Sequence, residues 1–135
     1  RIDTAEALAA AAAGADGLFC PDTAKATAGI HVASVIDRLG IRDAVTLREF
    51  PNGQTAMTQM AQDPSENPLG CTQVTEIVNT PGVDLVGLLP DPFGLSTTYT
   101  AAVATDAAAA DAARVLIALL ADPAAADLRR SVGFI

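Results

Sequence analysis

The sequence has 135 residues, half of them apolar and 18% charged, which makes one ordinary domain, or one and part of a second, and excludes a disordered tail. Eight basic residues against sixteen acidic ones leave a formal charge of −8, so the basic footprint that nucleic acids or anionic lipid surfaces need is missing. No apolar run reaches the ~18 residues of a membrane span.

Asp3 reads as an N-cap, with Glu6 completing a capping box, before an Ala-rich helix from Thr4 to Ala13 that Gly14 stops. Gly17 to Cys20 reads as a short buried strand, ended by Pro21 and Asp22. A second helix is expected from about Gly29 to Leu39, with Val32, Ile36 and Leu39 on one face and Gly40 as its C-cap. Val45 to Phe50 alternates as a strand, and Gln54 to Gln62 is expected to be a helix holding Met57 and Met60. Leu69 to Thr72 reads as a strand, followed by a short helix near Thr75 to Asn79. Val83 to Leu89 is expected to be a further strand, and Ser96 to Ala104 an extended segment. Asp106 is expected to cap a long helix to about Ala121, and Asp122 a last one with Pro123 at its first position. Strands alternating with helices predict an α/β fold with a mostly parallel sheet, whose ligands bind at the carboxyl ends of the strands.

Three strand-to-helix junctions therefore qualify as a binding site: Thr27-Ala28-Gly29, Asn52-Gly53-Gln54-Thr55, and Thr72-Gln73-Val74-Thr75. Each offers helix N–H groups that can hold an anion without a formal positive charge; the bland alternative is ordinary N-capping by Thr and Asn. Lys25, the one lysine, could add local positive potential. His31, the one histidine, falls in an apolar helix and reads as a packing residue. No nucleophile and base are arranged together, no metal-ligand spacing occurs, and no cofactor motif is present, so neither catalytic nor metal residues are expected. Cys20 and Cys71 read as buried free thiols; a disulfide between them would need the two strand ends to be neighbours. The chain starts at Arg1 and shows no signal peptide, so it reads as a processed chain or a piece of something longer.

Ala28-Gly29-Ile30-His31 followed by Ile36-Asp37-Arg38-Leu39-Gly40-Ile41, and Leu69-Gly70-Cys71-Thr72-Gln73-Val74-Thr75-Glu76-Ile77, resemble the second lobe of molybdate-type ABC-transporter substrate-binding proteins. Pro81-Gly82-Val83-Asp84-Leu85-Val86-Gly87-Leu88-Leu89-Pro90 and the tail, with Ala112-Ala113-Arg114, Leu119-Leu120-Ala121-Asp122-Pro123 and Gly133-Phe134, match in the same order. The resemblance implies a periplasmic-binding-protein-like, three-layer α/β/α lobe with its first lobe incomplete. Residues 1–91 would be the second, inserted lobe, and 92–135 the crossover strand and C-terminal helices of the first. It places backbone donors to a small oxyanion at Ala28 and Thr55 and a ligand contact at Gln73, where some members have Tyr. With their neighbours, the expected ligand-binding residues are Thr27, Ala28, Gly29, Gln54, Thr55, Thr72 and Gln73. It further implies an ABC permease as partner and a periplasmic or extracellular location, a cytoplasmic one staying open. A homodimer or an exchanged segment is expected to cover the missing first-lobe elements. The alternative is a ligand-sensing or protein-interaction module of the same fold with no role in transport.

Overall fold

The computed structural model describes residues Arg1 to Phe134. It divides into two units, Arg1–Leu95 and a second from Ser96 onward. The first opens with helix α1 (Ala5–Ala13), strand β1 (Gly17–Pro21) and helix α2 (Thr27–Leu39). A 3-10 turn (Arg42–Ala44) leads to β2 (Leu47–Phe50), α3 (Gly53–Met60), β3 (Pro68–Gly70) and α4 (Val74–Val78). The second unit holds α5 (Ala110–Ala121), a 3-10 turn (Pro123–Ala125) and α6 (Ala126–Ser131).

The three strands form a parallel sheet in the order β2-β1-β3. Leu18 pairs with Leu47 on one side and Leu69 on the other, and Phe19 with Arg48 and Gly70. All five residues of the central strand β1 are buried. Their alternation divides the core between two faces. Leu18 and Cys20 pack with Val32 and Ile36 of α2, whereas Phe19 packs with Ala56 and Met57 of α3 and Ile77 of α4. Helices thus lie on both faces of the sheet, the α/β arrangement that the order of elements predicts. On the Phe19 face, Phe50 stacks at 5.8 Å and the Arg48 guanidinium lies 5.1 Å from the Phe19 ring while pairing with Asp63.

A third cluster joins Ile2, Leu8 of α1, Val35 of α2 and Phe93. His31 fastens it: its Nε2 lies 2.7 Å from the Phe93 carbonyl oxygen, and Arg38 sits over the Phe93 ring at 4.6 Å. The packing role expected of His31 is therefore specific, holding the 90–95 segment against α2.

Several elements differ from expectation. The N-cap of α1 is Thr4, whose hydroxyl accepts from Ala7 N, while Asp3 pairs instead with Arg1. Helix α2 starts two residues early, at Thr27, and is capped by Gly40 in the left-handed region at φ 67°, a conformation that glycine adopts without the strain other residues meet. Residues 83–89 form no strand, and 96–104 pair with nothing in a ladder. Strand preference reports the fit to a half-buried surface, and no neighbouring strand supplies one: Leu85, Val86 and Leu88 are all exposed. Asp106 caps nothing, because Ala107 N bonds Ala104 O in a turn and α5 begins only at Ala110. Asp122 does cap, its carboxylate accepting from Ala124 N, with Pro123 opening the 3-10 turn before α6. From Leu95 onward none of the described residues is buried.

Candidate functional site

In a parallel sheet every strand ends at the same edge as the helix that follows it begins. The carboxyl edge of β1, β2 and β3 consequently gathers the starts of α2, α3 and α4. An open cleft of about 160 Å³ lies there, lined by Pro21, Ala26, Thr27, Ala28, Asn52, Gly53, Gln73 and Glu76. Three of the expected binding residues, Thr27, Ala28 and Gln73, line it together. Gly29, Gln54, Thr55 and Thr72 do not, and each has another task.

Gly29 is buried where α2 crosses the end of β1. A Cβ there would lie 2.2 Å from the Asp22 carbonyl oxygen and 2.4 Å from that of Pro21, so glycine is required by backbone approach, with no ligand involved. The Gln54 side chain donates to the Thr80 hydroxyl at 2.9 Å. The backbone N–H of Thr55 is already committed to the Asn52 side chain at 2.8 Å, which caps α3. The Thr72 hydroxyl donates to the Glu76 carboxylate.

The three helix starts therefore differ. That of α3 carries its own cap and also receives a protein carboxylate: a Cβ on Gly53 would meet Glu76 Oε2 and Thr72 Oγ1, both at 2.0 Å. The start of α4 belongs to a helix of only five residues. Helix α2 is the longest, at 13 residues, and its N-cap, Ala26, makes no side-chain cap bond. The first turn of α2, the positive end of its macrodipole, thus lines the cleft with no side-chain cap of its own.

The loop that presents them is tied down. The Asp22 carboxylate accepts from Ala24 N and Lys25 N at 2.9 and 3.0 Å, and Asp22 O accepts from Ala26 N at 3.0 Å. Glu49 at the end of β2 accepts from both the N–H and the hydroxyl of Thr23. The Ala24 N–H holds the Asp22 carboxyl below its ordinary pKa, and the Thr23 hydroxyl does the same for Glu49. Lys25 points to solvent and lies 3.7 Å from Asp22, so its charge serves the loop. Among the lining residues the one formal charge is Glu76.

Pro21, Ala26 and Glu76 line the cleft from outside the three junctions, and Asn52 and Gly53 belong to the second junction without being among the expected ligand contacts. Asn52 carried a signal, as a capping residue before Gly53. Glu76 lies one helical turn beyond Thr72, the spacing of their bond, but its place beside Gly53 depends on how α3 and α4 pack. Among the described residues no group of three His, Cys, Asp or Glu side chains could hold a metal ion, and no helix is long and apolar enough to cross a membrane.

A family model described as bacterial extracellular solute-binding protein matches residues 1–135. The chain belongs to that family. Within a solute-binding protein, a cleft at the carboxyl edge of a parallel sheet is the place where the fold puts a ligand. A curated relative, the aconitate isomerase of Pseudomonas sp, is 39% identical over 61 residues, which is 45% of this chain and 23% of the relative. The match thus spans about a quarter of that relative's length. No solved structure matches the chain significantly.

Proposed function

We propose that this solute-binding chain holds a small oxyanion, of which molybdate is the example implied by the resemblance, at the start of α2 and delivers it to an ABC permease. The observation that supports it most is the uncapped N-terminus of a 13-residue helix opening onto the cleft. In this reading the N–H groups of Thr27 and Ala28 hold the anion, and neutral Asn52 and Gln73 flank it. The cleft's 160 Å³ is below the roughly 300 Å³ of a drug-sized site, which suits a ligand of few atoms. Residues 1–91 act as the second lobe, and closure against a first lobe completes the site. A second copy of the chain covers the exposed apolar face of α5. The chain binds without turnover.

The test fills the seat from within. Ala28→Asp puts a carboxylate in the first turn of α2, where it favours the helix dipole. The variant is expected to keep or raise its melting temperature while losing at least tenfold in molybdate, tungstate or sulfate affinity by calorimetry. Unchanged affinity would remove the proposed seat.

The aconitate isomerase match favours a second reading, in which the cleft acts on an aconitate-like polycarboxylate. Glu76, the one carboxylate among the lining residues, would then be the base. Turnover of aconitate by the chain, lost in Glu76→Gln, would establish this reading in place of the first.

A further inference from the structure

We propose that Cys20 and Cys71 are a cross-linking pair, joined by a disulfide that ties the end of β1 to the start of the β3–α4 connection beside the cleft. The sheet register sets them side by side. Leu18 pairs with Leu69 and Phe19 with Gly70, so the next pair along is Cys20 and Cys71. The Cys71 N–H donates to Phe19 O at 2.9 Å, the bond that continues this register. Both side chains are on the α2 face, where Cys71 packs against the cluster of Leu18, Cys20, Val32 and Ile36. Paired strands run about 4.8 Å apart, inside the roughly 4.4–6.8 Å that a disulfide spans between Cα atoms.

The bridge falls where the ladder weakens. The next bond would come from the N–H of residue 21, and Pro21 has none. Beyond it, Pro21 and Gln73 both line the cleft, so a covalent tie at this point joins two of its lining segments. Both cysteines are thiols in this structure, and the family is extracellular, where disulfides form and persist.

The chemistry is thiol–disulfide exchange with a small disulfide oxidant. The Cys71 thiolate attacks the oxidant and releases one thiol; the Cys20 thiolate then attacks the Cys71 sulfur and releases the second. Two thiols of the chain lose two protons and two electrons, and the oxidant's disulfide becomes two thiols. Burial pushes the Cys20 thiol up to about 12, with the Glu49 charge adding to it, and the Cys71 thiol up to about 11. The folded dithiol therefore reacts slowly at neutral pH, and the bridge forms during folding, before α2 covers the pair.

The test is to refold the denatured, reduced chain in a mixture of reduced and oxidised glutathione. The expected product is a monomer lighter by about 2 Da, with no thiol titratable in denaturant and a Cys20–Cys71 cross-link in the peptide map. Closing a loop of about 50 residues should raise its melting temperature by roughly 10 °C over the same sample after dithiothreitol. Cys71→Ser should show neither the mass loss nor the dithiothreitol-sensitive gain. Two free thiols in the refolded wild-type chain, glutathione adducts on both, or cross-links only between chains would each overturn the proposal.

Discussion

In the proposed reading, Glu76 limits the charge of the anion that the cleft accepts. Its carboxylate sits against Gly53 at the start of α3 and accepts from the Thr72 hydroxyl, so it repels a second negative charge nearby. A unit charge roughly 6 Å away, at an effective dielectric of about 40, is worth about 1.4 kcal/mol, a tenfold change in affinity. Glu76→Gln should therefore tighten molybdate binding about tenfold, read by calorimetry at low and high salt, with the gain shrinking at high salt. An affinity that is unchanged at low salt would place the anion away from Glu76. A carboxylate is ordinary in the first turn of a helix, and nothing in the residues around Glu76 marks it as facing α3. That contact is made by packing between elements and has no signature along the chain.

At the scale of elements, the start of α2 depends on its approach to β1. Gly29→Ala would gain the better helix propensity of alanine, about 1 kcal/mol. It would also drive a Cβ to 2.2 Å from a backbone oxygen that cannot rotate away. Overpacking of this kind costs about 1–3 kcal/mol, so a net loss of up to about 2 kcal/mol is expected from urea unfolding; a more stable variant would show that α2 can shift outward. The loop before α2 gives a pH dependence. Glu49 and Asp22 are held below their ordinary values of 4.5 and 3.8, so their contribution is complete above those values and is lost as pH falls through the lowered ones. The urea midpoint should be flat from about pH 7 to 5 and fall below that, less steeply in Glu49→Gln. A midpoint that rises on acidification would contradict the sign. Helices α1, α2 and α3 were legible in the chain because helix propensity, apolar spacing and the glycines after α1 and α2 are local, while their starts fall one or two residues from those expected. The strand expected over 83–89 was not, because an extended segment becomes a strand only where a partner accepts its hydrogen bonds.

For the whole molecule, burial is uneven. The apolar stripe of α5, with Val115, Leu116, Leu119 and Leu120, is more than half exposed, and a helix with such a face gains stability only when the face is covered. If a second copy covers it, light scattering at about 100 µM should give twice the 13.7 kDa of one chain, and Leu116→Glu should return the mass to that of one chain. A single chain's mass for the wild type at that concentration would leave the face to another segment or polypeptide.

The sequence by itself determined the alternation of strands and helices, hence a parallel sheet, and with it the edge where three helix starts meet. These follow from periodicity and from the single handedness of the strand–helix–strand crossover, both properties of the chain order. The tertiary structure decided which of the three starts stays open. Asn52 and Glu76 occupy that of α3, the one of α4 belongs to a five-residue helix, and that of α2 is left facing the cleft. It also set Cys20 beside Cys71. Both outcomes depend on contacts between residues far apart in the chain, whose energies arise only when the layers pack.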